Sequence, residues 1–398
     1  MNQALLGVTI TSLRKERHMT QGMLAEALNI SYKTISRWET GLGYPEISIL
    51  PRLASVLGVT VDYLLSGERN GIAVVGNLHM DTVRKVDKDY RTELLLNTTS
   101  STQDIGGCVP NITLNLSKID PSIPLSAIGY VGNDENGRRI LSRLQRYYIQ
   151  TRNIISTNTS TGTNDIIIAP NSDRVLIRTH GANALFDPLS IEISSLTCRM
   201  IHFERLFFES YWKHDAEYGC RLARALRDLQ SAGITTSISL NHSFFSVPPE
   251  AFCSVLKYCD YLFIGEKNLA RIASHSMPAG KSYSVQDMMQ HMLKLGVKKK
   301  VLLFTDSFSG ACLDNSGLFT EVQSPEIYED EVASINGIND DLCAGCLYGI
   351  YNNYPDKKLL EFALATIAAG LMYKKASDDM LPKKDLLHFM DQLKKRTQ

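Results

Sequence analysis

The chain has 398 residues, 44% hydrophobic and 21% charged, with 42 basic and 42 acidic side chains in balance. That is the composition of an ordinary soluble protein long enough for two or three domains, and it excludes a low-complexity or strongly charged class. With a formal net charge of zero, any nucleic-acid binding must come from a local surface, and no apolar run reaches the length of a membrane span.

No signal-peptide pattern opens the chain, so no membrane is expected and a cytoplasmic location is, with nucleoid association when DNA is bound. Eight cysteines (108, 198, 220, 253, 259, 312, 343 and 346) are scattered among mostly apolar neighbours. Cys343 and Cys346 share a CxxC spacing, but no second pair completes a zinc site, so they read as small buried side chains.

Short helical patterns fill residues 1–67. Leu13 falls in the first, ahead of Arg14, Lys15 and Arg17. Thr20 reads as the N-cap of a helix from Gln21 to Leu28, and Ser31 as the cap of one from Tyr32 to about Glu39. Glu46–Leu57 and Val61–Leu65 supply two more, separated by Gly58. The series Met19, Thr20, Gln21, Leu24, Ala25, Leu28, Ile30, Ser31, Thr34, Ile35, Ser36, Trp38, Glu39 and Gly41 resembles the helix-turn-helix of phage-repressor (XRE) type. Gly22 and Asn29 depart from its usual Glu and Gly, and a glycine within a helix costs about 1 kcal/mol.

The resemblance implies that the Ser31–Glu39 helix enters the major groove of operator DNA. Tyr32, Lys33 and Thr34 would then stand at or near base edges, with Ser31, Ser36 and Arg37 close by and Gln21 on a phosphate. One such domain binds weakly alone, so a homodimer on two half-sites is expected.

Residues 68–71 read as a short linker, and residues 72–398 as a second domain. There apolar strands (Ile72–Val75, Ile166–Ile168, Met200–Phe203, Thr236–Leu240, Tyr261–Ile264, Val301–Thr305) alternate with helices (Tyr218–Ala232, Ser284–Leu295, Leu359–Tyr373). That alternation predicts an α/β doubly wound parallel sheet.

Near the end, a polar turn through Gly337, Ile338 and Asn339 runs into a helix of small and apolar residues. Backbone N–H groups at such a start can hold an anion, and Asp340 beside them could take a proton from a hydroxyl. Residues 334–349 resemble the second signature of the PfkB (ribokinase-like) carbohydrate kinases, with Asp340 at the position of the catalytic base. Ala344, Gly345, Leu347, Tyr348 and Gly349 fit the helix that follows. Further motifs repeat the resemblance in order: Gly76 to Asp81, then Gly106-Gly107 with Asn111, then Gly129, Gly132, Asp134 and Gly137, with Thr161-Gly162 and Gly181 to Asn183 after them. The resemblance implies a ribokinase-like fold with a small β lid over about residues 82–104. It also implies a sugar site built from His79, Asp81, Gly106, Gly107 and Asn111, with Glu204 a further contact. ATP and Mg2+ would be required if the kinase is active.

The departures fall on the nucleotide and metal side. The family's Asn-x-x-Glu reads Gly265-Glu266-Lys267-Asn268, leaving Glu266 as a candidate metal contact. Thr305-Asp306-Ser307 replaces a Thr-x-Gly, Ser334 replaces an Asp, and Asn339 a Gly. Asp341 adds a second carboxylate where phosphate charge is expected, and is read as competing with it. These features together predict a DNA-binding transcription regulator whose PfkB-like domain senses a sugar or nucleoside. The alternative is a DNA-binding protein that is also an active ATP-dependent carbohydrate kinase.

Overall fold

The computed structural model describes residues 3–91, 95–171, 173–204, 206, 208–240, 247, 249–305, 309–323, 327, 337–373 and 379–396. Ser334, Asp306 and Ser307, singled out above, lie outside them. Contacts divide the chain into two units, Met1–Gly71 with Glu192–Arg199, and Ile72–Ile191 with Met200–Gln398.

In the first unit the helices start where short polar side chains close them. These are α1 (Gln3–Glu16), α2 (Gln21–Leu28), α3 (Tyr32–Glu39), α4 (Leu50–Val56) and α5 (Val61–Ser66). The Thr20 hydroxyl accepts the Met23 amide at 3.1 Å, and Ser31 accepts that of Thr34 at 3.2 Å. Asn29 ends α2 in the left-handed region at φ 55°, a conformation Asn tolerates better than other non-glycine residues. Gly22 is only the second residue of α2, so it is not the mid-helix glycine of the sequence reading. The pattern read as a helix over Glu46–Leu57 becomes helical only at Leu50, with Pro51 in its first turn. Leu6, Ile10, Leu24, Ile35, Trp38, Leu53 and Leu64 form the core. Gly7 lets α1 close on the end of α3, where a Cβ would lie 2.6 Å from the Trp38 carbonyl oxygen. Residues 192–199 join this unit through backbone bonds, Asn70 N–H to the Thr197 carbonyl at 2.8 Å and Arg199 N–H to that of Gly71 at 3.0 Å.

The second unit is built on a twisted sheet. Its strands are β1 (Ile72–Val75), β2 (His79–Val86), β3 (Thr98–Gly106), β4 (Leu125–Gly132), β5 (Ile154–Thr157), β6 (Gly162–Ile168), β7 (Arg174–Thr179) and β8 (Met200–Phe203). They continue with β9 (His214–Asp215), β10 (Gly219–Cys220), β11 (Thr235–Leu240), β12 (Tyr261–Gly265), β13 (Lys300–Phe304), β14 (Gly310–Asp314) and β15 (Phe319–Val322). The helices are α6 (Cys108–Ile119), α7 (Glu135–Arg146), α8 (Glu209–Trp212), α9 (Arg221–Ser231), α10 (Pro249–Leu256), α11 (Glu266–Ser276), α12 (Val285–Leu295), α13 (Ile338–Tyr351), α14 (Asp356–Tyr373) and α15 (Lys383–Arg396).

Among the described residues the large sheet runs β15-β14-β13-β12-β11-β8-β1-β4-β5. All pairings from β13 to β5 are parallel, and β14 and β15 turn back antiparallel. β1, β8 and most of β11 are buried throughout, as strands covered by helices on both faces must be. A separate four-stranded sheet, β3-β2-β6-β7, forms the lid. It is larger than the lid predicted over about residues 82–104, because Ile166–Ile168 belongs to it rather than to the main sheet. That run is apolar yet only half-buried, and apolar content alone does not assign a strand to one sheet or another.

Candidate functional site

The residues read as DNA contacts in the first unit lie mostly on α3. Ile35 and Trp38 turn into the core, while Tyr32, Lys33 and Arg37 are exposed and Thr34 and Ser36 half-buried. The Ser31 hydroxyl is committed to the cap. Gln21 donates to Glu39 Oε2 at 2.7 Å, which gives its amide a partner within the fold. Arg14 grips the same carboxylate with two bonds, Nε to Oε1 at 2.5 Å and Nη2 to Oε2 at 2.9 Å. Burial alone would raise the Glu39 pKa, but the bonds from Arg14 and Gln21 outweigh it and hold the carboxyl below its ordinary value. This buried bidentate pair fixes α3 against α1 and α2.

In the second unit the residues at the foot of the four-stranded sheet form one connected network. Asn77 Oδ1 accepts the Cys108 amide at 3.1 Å at the start of α6, which turns Asn77 Nδ2 to His79 Nδ1 at 3.0 Å. The other ring nitrogen, His79 Nε2, lies 2.7 Å from Asn164 Nδ2 and 3.0 Å from Asp81 Oδ1. Asn164 of β6 donates to the same Asp81 oxygen at 3.0 Å, so two lid strands orient one carboxylate. Gly106 is required by that carboxylate, since a Cβ there would lie 2.2 Å from Asp81 Oδ2. Gly107, at φ 102°, passes so close to Asn77 that a Cβ would meet its carbonyl oxygen at 2.4 Å.

Asn111 and Asp340, 229 residues apart, meet directly. Asn111 Nδ2 donates to Asp340 Oδ2 at 2.8 Å. Asp340 lies in the first turn of α13, which begins on Gly337 in the left-handed region (φ 78°) with no side-chain cap. Ile338 and Asn339, half-buried, complete that turn.

Asp341 differs from its sequence reading. Its side chain turns away from the helix start, accepts Asn115 Nδ2 at 2.7 Å, and lies against α14, where a Cβ on Gly370 would be 2.0 Å from Oδ2. The carboxylate expected to compete with phosphate thus pins α6, α13 and α14 together. The two carboxylates diverge because successive helix residues point about 100° apart. Gly345 serves the same contact, with a Cβ falling 2.4 Å from Thr366 Oγ1.

Glu204 is fully buried and engaged elsewhere, with His202 Nε2 at 3.3 Å and the Cys343 thiol at 3.2 Å from its Oε2. Asp134, part of the third motif, caps α7. Its carboxylate accepts the amides of Gly137 at 2.8 Å and Thr161 at 2.7 Å, and these bonds outweigh burial to keep its pKa low. Asn183 clamps both backbone groups of Leu78, at 2.9 and 2.7 Å. These two motif residues are architectural, and the sequence gives no sign of that because a capping Asp and a binding Asp look alike. Asn164 is the residue that sequence reasoning missed at the lid foot. Only its place across from Asp81 in the β2–β6 pairing could have found it.

On the metal side, Glu266 is exposed in the first turn of α11, and the Asn268 amide donates to the Leu240 carbonyl at 2.5 Å. Mg2+ is commonly held by one or two carboxylates together with waters and substrate phosphates, so Glu266 is the one carboxylate this motif offers it.

The sequence pattern of the pfkB family carbohydrate kinases matches residues 69–384, and that of a helix-turn-helix family matches residues 10–64. The HTH-type transcriptional activator BcrR of Enterococcus faecalis is 44% identical over 59 residues, covering 15% of this chain and 29% of the relative. The HTH-type transcriptional regulator YqaE of Bacillus subtilis is 32% identical over 81 residues, covering 20% of this chain and 66% of the relative. The chain thus spans less than two thirds of either relative.

Ribokinase from Thermotoga maritima superposes with a TM-score of 0.66 at 16% identity, over 81% of this chain and 99% of that one. An Arabidopsis thaliana ribokinase complexed with ribose and ATP gives 0.66 at 18%, over the same shares of the two chains. A Burkholderia thailandensis nucleoside kinase in complex with inosine gives 0.63 at 11%, over 81% of this chain and 98% of that one. At these identities the likeness establishes a ribokinase-like fold. No helix among the described residues is long and apolar enough to cross a membrane.

Proposed function

Because the chain belongs to the pfkB family of carbohydrate kinases and carries an amino-terminal helix-turn-helix, we propose that it is a sequence-specific transcription regulator whose large unit senses a sugar or nucleoside. The observation that carries this reading is a contrast within the second unit. The residues read as sugar contacts lie in a connected set, with Asp81 against His79 and Asn164 and with Asn111 on Asp340. The metal side offers an exposed Glu266 and an Asn268 tied to backbone.

Asp81 and Asn111 would take hydroxyls of the ligand, with Gly106 and Gly107 allowing its close approach to backbone. The four-stranded sheet would cover it. Tyr32, Lys33 and Thr34 would read base edges, Arg37 would neutralise phosphate, and a homodimer would span two half-sites. If ligand changes operator affinity by some factor, operator must change ligand affinity by the same factor.

A second reading is favoured by Asp340 at the uncapped start of α13. Here the protein is also an ATP-dependent carbohydrate kinase. Asp340 would take the proton of a substrate hydroxyl as its oxygen attacks the γ-phosphorus of ATP and the bond to ADP breaks. The backbone of Gly337, Ile338 and Asn339 would hold the anionic oxygens.

The deciding experiment is a thermal-shift panel of sugars, nucleosides and ATP–Mg2+ on the full chain, with turnover assayed in parallel. Stabilisation by a sugar or nucleoside without ATP turnover, together with a matching change in operator binding, supports the sensor. ATP turnover abolished by Asp340→Ala would replace it with the kinase.

A further inference from the structure

His202, Glu204 and Cys343 come together beneath the start of α13, all fully buried, with one potential ligand atom from each lying within 4.8 Å of the others. Glu204 Oε2 stands 3.3 Å from His202 Nε2 and 3.2 Å from Cys343 Sγ. Ligand atoms around a tetrahedral zinc ion, bound at about 2.0–2.3 Å, are separated by roughly 3.3–3.8 Å. The three side chains therefore need only slight movement to share one cation.

Two further observations point the same way. Ser237 Oγ lies 3.3 Å from the Ile201 carbonyl, which can take its proton, and 2.9 Å from His202 Nδ1. With the imidazole proton on Nδ1, the Nε2 lone pair faces Glu204, an orientation suited to a metal ligand held by an outer hydrogen bond. Ser239 is the second observation. The parallel register of β8 and β11 sets Ser237 beside His202 and, two residues on along the same face, Ser239 at the level of Glu204. Ser239 is fully buried, and its hydroxyl oxygen has no hydrogen-bond partner among the described residues. A buried polar atom left this way calls for a group to satisfy it.

We infer that His202, Glu204 and Cys343 form a binding site for a zinc-class divalent cation. The donor set of imidazole, carboxylate and thiolate selects a borderline metal over Mg2+ or Ca2+. Binding exchanges the Cys343 thiol proton for the cation. One carboxylate and one thiolate then balance its two charges, and no net charge is left in the interior. A fourth ligand would come from a water or from the Ser239 hydroxyl. The CxxC spacing plays no part, since Cys346 is outside the cluster.

The test is metal analysis of the purified full chain, followed by chelation and titration with Co2+. The expected result is about one zinc per chain, and a thiolate-to-cobalt charge-transfer band that Cys346→Ala keeps and Cys343→Ala loses. Ser237→Ala should keep the band while weakening cobalt binding about 10–100-fold. A folded wild-type chain with no bound zinc and no cobalt band overturns the inference, as does a band that survives Cys343→Ala. Should Cys343→Ala not fold, the wild-type titration decides alone. A melting temperature restored after chelation by Zn2+ but not by Mg2+ supports the site, and one unchanged by chelation and by Zn2+ overturns it.

Discussion

At the start of α3 the Ser31 hydroxyl accepts the Thr34 amide, whereas α13 begins on Gly337 in the left-handed region with no side chain closing it. The first start is closed by the chain itself, and Tyr32, Lys33 and Arg37 beyond it stay exposed. The second has no capping side chain among the described residues and places one carboxylate, Asp340, beside its first amides. A closed start suits reading a surface by side-chain identity, and an open one suits holding an anion by backbone. The surrounding residues follow the same division. Glu39 and Arg14 brace α3 from behind, while Asp341 and Asn115 brace α13 and leave Asp340 to Asn111.

The comparison can be broken most strongly at Glu39. Glu39→Ala leaves the buried Arg14 guanidinium without its carboxylate and should cost about 3–5 kcal/mol in denaturant unfolding of the first unit. Acid should do the same reversibly. The Glu39 pKa is lowered in the folded state, so its contribution is present above the ordinary carboxylate pKa and is lost as pH falls through the folded value. Stability that rises on acidification through that range would contradict the pairing.

A smaller effect is expected at the open start. Gly337→Val forces a β-branched residue into φ 78° and should cost about 1–2 kcal/mol in thermal unfolding of the second unit. An unchanged melting temperature would mean the left-handed turn is dispensable. Ser31→Ala should cost about 1 kcal/mol by removing the cap of α3, and Ser31→Asp should restore most of it. The smallest effect is one of slope. Arg37→Ala should reduce the salt dependence of operator binding by about one counterion, seen as a shallower plot of log affinity against log salt. An unaltered slope would remove Arg37 from the phosphate contacts.

Local chemistry made much of the fold legible. Thr20 and Ser31 announce helix starts because a cap acts over three residues, and Asn29 marks the turn because few side chains accept its backbone. The ribokinase-like architecture was legible from strand–helix alternation and from ordered glycine motifs, which mark close approaches wherever they occur. What escaped the sequence was pairing at long range. Nothing local says that Asp341 meets Asn115 or that Ile166–Ile168 joins the lid. The candidate site was legible as a set of residues but not as contacts. Asp340 and Asn111 stood in separate motifs, and His202 stood in none, so the cluster it forms with Glu204 and Cys343 left no spacing to read.

The position of β1 has a consequence during synthesis. This wholly apolar strand is the first of the large sheet to leave the ribosome, yet its two neighbours are β4 and β8, so one edge must wait for Met200–Phe203 to be translated. Until then Ile72-Ala73-Val74-Val75 presents unpaired backbone and apolar side chains together, a combination that favours aggregation. Nascent chains stalled before residue 200 should therefore depend on chaperones more than those released after it, and truncation to the lid-bearing half is the wrong route to a soluble fragment.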